Sequence, residues 1–146
     1  MKELKQNPVP MKVKIKHLER LKFEGINSDG KKVLMDGKPP FGDGEYPSPV
    51  EMLLMALGGC TAMDVISILS KKRLEVKEFQ VEVEGIRRET HPKVFTYIKV
   101  HYRFKGNLPQ KAVEQAIKLS MEKYCSVSAM LKATAKVEWD YTIEEI

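Results

Sequence analysis

Apolar and polar residues alternate near the start of the chain, and this pattern predicts β-strands. In the stretch MKVKIK, 11–16, three apolar residues alternate with three lysines, so a strand there has one apolar face. The sequence NSDG at 27–30 is a strong turn signal, and a second apolar run, 33–35, follows it. We therefore predict a small antiparallel meander within an N-terminal segment of strands and loop, 1–47.

The longest apolar stretch predicts a central helix over 48–73. It follows a loop rich in Gly and Pro, and it opens with Ser48, Pro49 and Glu51, which suit the N-cap, first and third positions of a helix. Apolar residues then cover every face, which is typical of a helix buried on all sides. Because one small domain offers few places for such a helix, we expect a second copy of the chain to cover part of it in a homodimer.

The same stretch is long enough to cross a bilayer. Glu51 and Asp64 lie within it, however, and an Asp near the centre of a span costs about 2.5–3.5 kcal/mol on insertion scales. We therefore predict a helix buried in protein, with no membrane association.

The second half of the chain predicts a strand pair, two helices and a last strand. Alternating apolar residues in 79–83 and 98–104 indicate two strands that pair across the sequence RRETHPK. The sequence NLPQ opens an amphipathic helix, a short helix follows Cys125, and the last strand is 137–143. The predicted core stripe of the amphipathic helix consists of Val113, Ala116, Ile117, Ser120, Met121 and Tyr124.

Composition and element order together predict one α+β domain over 1–146. The chain is 42% apolar and 31% charged, an ordinary globular composition, and the strands, helices and final strand of 74–146 complete the domain. Its net charge of +5 permits an acidic partner. The lysines are spread out, and the basic cluster 71–73 falls at a helix end, where it offsets the helix dipole. We predict no nucleic-acid partner.

Histidines and glycines offer no cofactor site. His17, His91 and His101 lack the spacing of a metal site, and no glycine-rich loop has the context of a phosphate site. We expect neither a metal nor a bound cofactor.

The two cysteines are the remaining candidates for chemistry. Cys125 directly precedes a predicted short helix, whose first amides are placed to stabilise a thiolate. Cys60 follows Gly58 and Gly59, and each glycine costs about 1 kcal/mol relative to Ala inside a helix. Such a glycine pair marks a kink or allows another backbone or a ligand to approach closely. The residues alone leave two interpretations open: inert core cysteines, or a pair that meets and cycles between thiol and disulfide.

The stretch SPVEMLLMALGGCTAMDVISIL, followed by KYCSVSAML, resembles the OsmC/Ohr family of osmotically inducible and organic hydroperoxide resistance proteins, and within it an OsmC-like branch. The resemblance covers nearly the whole chain and rests on the order of its motifs. It implies an OsmC-like fold, with antiparallel sheets packed around long central helices in an intertwined homodimer that has two sites at the subunit interface.

The resemblance also implies roles for four residues. Cys60 resembles the peroxidatic thiol and Cys125 the resolving thiol, although Ser126 stands where better-known peroxidases tend to have Pro. Glu51 resembles the carboxylate that orients an active-site arginine, and Arg20, the only arginine before residue 73, takes the place of that arginine. On a straight helix Glu51 and Cys60 lie on opposite faces. They share a site only if the helix kinks at the glycine pair or if the site lies between two chains.

The implied function is a peroxiredoxin-like, thiol-dependent reduction of organic hydroperoxides through Cys60 and Cys125. An external dithiol, such as a lipoyl group, would reset the pair, with no metal, flavin or haem. The alternative is a non-catalytic OsmC-like binding protein with an apolar interface pocket for a lipid-like or sulfur-bearing ligand. The opening residues lack the apolar core of a signal peptide, and two cysteines without an export signal are typical of a reducing cytoplasm, where we expect the protein.

Overall fold

The computed structural model of the chain describes residues 8–146. They belong to two compact units, one ending at Met52 and one over Leu53–Ile146, and the boundary lies inside the long helix α1, Pro49–Lys71. Two three-stranded sheets and three α-helices form the described part, which confirms the predicted α+β class. Residues 1–7 of the predicted domain lie outside the described residues, and its unity over 1–146 stays a prediction.

The first sheet is the predicted antiparallel meander. Its strands β1, Val13–Glu19, β2, Lys22–Asn27, and β3, Lys32–Met35, are hydrogen-bonded in that order. The turn between β2 and β3 is closed by the amide of Gly30, which donates to the carbonyl of Asn27 at 3.1 Å. Gly30 has φ 83°, a left-handed conformation that glycine adopts without a steric penalty.

The loop after β3 is fixed by one buried carboxylate, that of Asp36. Its two oxygens accept the amides of Gly37 at 2.7 Å and of Glu45 at 3.0 Å. Burial raises the pKa of Asp36, but these amide donors outweigh it and the pKa is lowered overall. Since the amide of Asp36 also donates to the carbonyl of Pro47 at 3.1 Å, this residue ties both ends of the loop that leads into α1.

Helix α1 begins with the capping box that the sequence predicts. The amide of Ser48 donates to Oε1 of Glu51 at 2.9 Å, and the amide of Glu51 donates to Oγ of Ser48 at 3.2 Å. The helix continues through Gly58–Gly59, so these glycines do not interrupt it. It ends at Lys71, slightly before the predicted limit, because Arg73 adopts a left-handed φ of 61°.

Only one face of α1 is buried within the single chain, and the expectation that a second copy covers the rest stays a prediction. Large apolar side chains remain exposed on its other faces, notably Met63, which is 75% exposed. Among the described residues α1 is also the one helix long and apolar enough to cross a membrane, a property that core helices share. Its buried residues are Leu57, Gly58, Thr61, Val65 and Leu69.

The second sheet is mixed, which corrects the prediction of antiparallel sheets throughout. Strands β4, Glu78–Arg87, and β5, Phe95–Lys105, pair antiparallel across the predicted loop, whereas β6, Lys136–Glu144, pairs parallel with β5. A parallel neighbour requires a crossover connection. The helices between β5 and β6 provide it, because they return the chain to the end of the sheet at which β5 begins.

The crossover contains an irregular turn that the sequence pattern missed. Helix α2, Gln110–Leu119, passes into a π-helical turn, Ser120–Tyr124, before helix α3, Ser126–Leu131. The wider turn is closed by the amide of Cys125, which donates to the carbonyl of Ser120 at 2.7 Å. The extra residue shifts the helical phase. The prediction that Tyr124 joins the core stripe is therefore wrong: Tyr124 is 51% exposed, and Cys125 is buried instead.

The core of the second unit lies between β5, the buried face of α1 and the helices of the crossover. Strand β5 is the central strand of its sheet and contributes five of the buried side chains, including Phe95. The main core residues are Leu57, Val65, Leu69, Ile98, Val100, Tyr102, Phe104, Val113, Ala116, Ile117, Met121 and Cys125.

Candidate active site

Cys60 is presented by the middle of α1. It is half-buried, and its side chain packs against the core of the second unit. Asp64 follows one helical turn later and is also half-buried. Residues four apart lie one above the other on a helix, so the thiol and the carboxylate share one face of α1.

Cys125 is positioned by the π-helical turn and by α3. It is the N-cap residue of α3, and its Sγ accepts the amide of Ser128 at 3.4 Å. Lys132, just after α3, donates its Nζ to the carbonyl of Met121 at 2.7 Å, which ties α3 back to the turn. Together these contacts hold the Cys125 side chain in the core, where it is 3% exposed.

The two thiols meet in the fold, together with an acid that the sequence analysis had not assigned to the site. The Sγ atoms of Cys60 and Cys125 and a carboxylate oxygen of Asp64 all lie within 4.8 Å of one another. Both cysteines are free. A disulfide requires about 2.05 Å between the sulfur atoms, so a short movement of the side chains separates the reduced pair from a bonded one.

Cys125 is held as a thiol and not as a thiolate. Burial raises the pKa of Cys125 to about 11. The amide of Ser128 opposes this rise, while the neighbouring Cys60 and the charge of Asp64 add to it. The expected helix-terminal stabilisation of a Cys125 thiolate is therefore present as a hydrogen bond but is outweighed by the loss of solvent.

Behind the thiols lies a buried chain of hydroxyl groups. Oγ of Ser120 donates to Oδ2 of Asp64 at 2.9 Å. Oγ1 of Thr61 lies 2.7 Å from Oγ of Ser120 and 2.7 Å from the phenolic oxygen of Tyr102. The three hydroxyl residues are each 0% exposed, so their polar atoms have only one another and Asp64 as partners in the hydrogen bonds described.

Glu51 and Arg20 have other partners than the resemblance implies. Oε2 of Glu51 accepts Nζ of Lys38 at 3.2 Å, and Oε1 is used in the capping box. Arg20 forms an ion pair with Asp43 and donates Nη2 to the carbonyl of Phe41 at 2.8 Å. In the first unit, then, the cation beside Glu51 is a lysine, and the arginine anchors the loop before α1.

Within residues 8–146, two groups of side chains have the donor atoms of a metal site. Cys60, Asp64 and Cys125 form one, but Cys125 is a protonated, buried thiol, and only a thiolate binds a metal. Acidic side chains of the first unit form the other, and the cations Lys22 and Arg20 already neutralise it. Its members are Asp36, Asp43 and Glu45.

A cavity of about 510 Å³ opens beside the thiol cluster and shares Asp64 with it. One wall is apolar, formed by Ile68, Leu119 and the ring of Tyr124. Two basic side chains, of Lys71 and Lys72, line it as well. The cavity therefore suits an organic molecule with an apolar body and a polar or anionic end.

The sequence analysis missed the polar residues around the thiols. Asp64 was noted only as a charge within an apolar stretch, although its spacing of four from Cys60 was a usable signal. Thr61, Ser120 and Tyr102 carried no such signal, because they are brought together from α1, the π-helical turn and β5.

The sequence of the chain is similar to sequences of known proteins. A family described as "OsmC-like protein" matches residues 42–140. Protein YhfA of Escherichia coli strain K12 is 43% identical over 134 residues, which cover 91% of this chain and 98% of that protein.

Solved structures show the same fold. A hypothetical protein from Aquifex aeolicus superposes with a TM-score of 0.79 at 37% identity, over 94% of this chain and 99% of the other. An organic hydroperoxide resistance protein OsmC from Legionella pneumophila superposes with a TM-score of 0.70 at 16% identity, over 94% of this chain and 99% of the other. The predicted OsmC-like fold is thereby confirmed.

Proposed function

Because the chain belongs to the family of OsmC-like proteins, we propose that it is a thiol-dependent peroxidase that reduces organic hydroperoxides through Cys60 and Cys125. The observation that carries the proposal is the distance between the two free sulfur atoms, within 4.8 Å. Membership in a family that includes organic hydroperoxide resistance proteins supports the reaction class.

The proposed cycle has three steps. The thiolate of Cys60 attacks an oxygen of the hydroperoxide, the O–O bond breaks, an alcohol leaves, and Cys60 becomes a sulfenic acid. The sulfur of Cys125 then displaces water from that sulfenic acid and forms the disulfide. An external dithiol, such as a lipoyl group, reduces the disulfide, so the proposal includes a reducing cytoplasm as the place of action.

The proposal also includes Arg20 and Glu51 as the charged groups of the peroxide site, on the strength of the family resemblance. A guanidinium there would stabilise the Cys60 thiolate and the charge that develops on the leaving oxygen. Since Glu51 is paired with Lys38 in this chain, Lys38 is the second cation that an experiment has to test.

A homodimer completes the proposal. Large apolar side chains of α1 and of the first sheet are exposed in the single chain, including Met55 at 57%, Met63 at 75% and Val13 at 69%. Burial of a side chain of this size stabilises an interface by about 1.5–3 kcal/mol. A second copy of the chain would remove these surfaces from water.

The test is the stoichiometry of thiol loss. One equivalent of an organic hydroperoxide should remove two thiols per wild-type chain and form one Cys60–Cys125 disulfide. Cys60→Ser should abolish the reaction, and Cys125→Ser should stop at the sulfenic acid. Arg20→Ala and Lys38→Ala should be compared for the rate at which Cys60 is oxidised, and the variant of the active cation should be about 100-fold slower. Arg103→Ala, which removes another exposed, carboxylate-paired arginine, is the matched control.

A second candidate function rests on the cavity beside Asp64. If excess hydroperoxide left both thiols free, the peroxidase proposal would fail. A non-catalytic binding protein for a lipid-like or sulfur-bearing ligand would then be the better account. Native mass spectrometry of the purified protein would detect such a ligand, and Leu119→Trp, which fills the cavity, should remove it.

A further inference from the structure

The buried hydroxyl chain behind the thiols has no role in the cycle proposed above. It runs from Tyr102 through Thr61 and Ser120 to Asp64, with hydrogen bonds of 2.7, 2.7 and 2.9 Å. Buried polar groups cost free energy unless every donor and acceptor is satisfied. Apolar side chains at these positions would avoid that cost. The buried hydroxyl chain therefore needs a functional explanation.

The direction of the hydrogen bonds follows from donor counting. A carboxylate only accepts, and each hydroxyl has one proton to donate. Ser120 gives its proton to Asp64, so it can only accept from Thr61. Thr61, in turn, accepts from Tyr102. All three protons therefore point toward Asp64, and the hydroxyl chain holds its side chain in one orientation.

That carboxylate faces the reacting sulfur atoms. One of its oxygens lies within 4.8 Å of the Sγ atoms of both Cys60 and Cys125. We propose that Asp64 accepts the proton of the Cys125 thiol as the disulfide forms, and that the hydroxyl chain orients it for this transfer. The inference rests on the proposed function for the identity of the oxidant, but the proton transfer itself belongs to any reaction in which Cys125 attacks Cys60.

The step balances as follows. The proton of the Cys125 thiol passes to the carboxylate, and the Cys125 sulfur forms a bond to the Cys60 sulfur. The S–O bond of the Cys60 sulfenic acid breaks, and the departing hydroxide takes the proton from Asp64 and leaves as water. Cys125 is oxidised, the sulfenic sulfur is reduced to the disulfide level, and Asp64 returns to its ionised form.

The environment of Cys125 explains why such a base is required. Burial keeps its pKa far above neutrality, so almost no thiolate exists before the attack. The ionisable groups that face it are Cys60, Asp64 and Tyr102. Cys60 is the other reacting atom, and the pKa of Tyr102 is raised by burial, which leaves Asp64 as the one proton acceptor among the described groups.

The negative charge of Asp64 and its role as a base have opposite effects on the rate of disulfide formation, so an experiment can distinguish them. A negative carboxylate next to Cys125 also disfavours a free thiolate. If Asp64 acted only through its charge, Asp64→Asn would speed up disulfide formation. If Asp64 takes the proton, Asp64→Asn slows it.

The experiment uses a disulfide reagent in place of peroxide. Dithio-bis-nitrobenzoate should react first at half-buried Cys60 and release one coloured thiolate. Attack by Cys125 on the mixed disulfide then releases a second, whose rate reports the transfer alone. We expect this second release to be about 100-fold slower in Asp64→Asn than in the wild type, within the range for general bases. Glu122→Gln, which neutralises an exposed carboxylate on the π-helical turn, should change nothing.

A pH profile separates proton transfer from a structural role and needs no variant. With Asp64 as base, the wild-type rate of the second release should change little between pH 6 and 9. A rate that rises tenfold per pH unit in the wild type, or an Asp64→Asn variant as fast as the wild type or faster, would overturn the inference. Formate should partly restore the rate in Asp64→Ala, because it supplies the missing base. The assays are run with a chelator so that no metal bridges the thiols.

The failure of the peroxidase proposal would be visible separately. In Cys125→Ser, dimedone trapping reports whether hydroperoxide converts Cys60 to a sulfenic acid. This step precedes the attack by Cys125, so it does not depend on the proposed proton transfer to Asp64. Absence of the sulfenic acid refutes the oxidant, whereas a normal sulfenic acid with an unchanged second release in Asp64→Asn refutes the role of Asp64.

Discussion

At the scale of single residues, burial decides the chemistry of the two thiols. Cys60 and Cys125 are near neighbours, yet Cys125 is 3% exposed and its pKa is raised to about 11, chiefly by burial. The amide of Ser128 offsets part of this effect. A residue at the start of a helix is thus not automatically a thiolate, because one hydrogen bond does not replace the solvation that burial removes.

The raised pKa of Cys125 gives a prediction about alkylation and alkaline stability. In Cys60→Ser, the alkylation rate of Cys125 should reach half its maximum well above the pH of an ordinary thiol. Unfolding exposes the thiol and returns its pKa to the ordinary value. The stability that the protonated thiol contributes is therefore fully present below about pH 9 and is lost as the pH rises toward 11.

Urea unfolding at pH 8 and pH 10 measures this loss. Cys60→Ser should lose more stability over the interval than Cys60→Ser/Cys125→Ala, which lacks the titrating group. Equal losses, or alkylation of Cys125 at the pH of a free thiol, would contradict the assignment.

At the scale of elements, the glycine pair of α1 marks a close approach of the helix to the sheet. A Cβ at position 58 would lie 3.1 Å from Cγ2 of Val83 on β4, whereas a Cβ at position 59 would meet no atom within 4 Å. Gly58 therefore lets β4 approach the helix beside Cys60. No described residue packs against Gly59 in the same way.

This contrast predicts a coupling between Gly58 and Val83. Gly58→Ala gains about 1 kcal/mol of helix propensity but must displace Val83, so we expect no net gain in the free energy of unfolding. In a Val83→Ala background the same substitution should become stabilising, with a coupling of about 1 kcal/mol in a double-mutant cycle. Additive effects on the free energy of unfolding in urea would mean that Val83 moves aside with no loss of stability, and would contradict the coupling. Ala56→Gly, on an exposed face of α1, calibrates the propensity.

At the scale of the whole molecule, the exposed apolar surface is the feature that the single chain leaves unexplained. Met63 stands in the middle of α1 and is 75% exposed, on a helix whose sequence is apolar on all faces. The family resemblance implies a homodimer, and a two-fold interface uses each residue twice. A substitution at the centre of such an interface therefore removes two contacts, one from each subunit.

We predict that Met63→Lys dissociates the proposed dimer. Loss of two buried methionines weakens the association by about 3 kcal/mol or more, over a hundredfold in the dissociation constant. Sedimentation at micromolar concentration should show a dimer for the wild type and a smaller species for the variant. Met130→Lys, an equally apolar and exposed position on α3, is the control. A stable folded wild-type monomer at this concentration would refute the dimer.

Local patterns were enough to predict most of the elements. The meander, the capping box at Ser48 and Glu51, and the pairing of β4 with β5 are all as predicted. They depend on side-chain alternation, turn residues and capping, which act between residues close in the chain. The family and the pairing of the two cysteines followed from ordered motifs and not from any single residue.

Tertiary packing decided the rest, including most of the candidate site. Three features depend on contacts between residues far apart in the sequence. They are the parallel pairing of β6, the π-helical turn that places Cys125 and not Tyr124 in the core, and the position of Asp64 beside both sulfur atoms. No periodicity encodes them. Each results from competition among distant side chains for space and hydrogen bonds in one closely packed core, where a single extra residue in a turn changes which side chain faces inward.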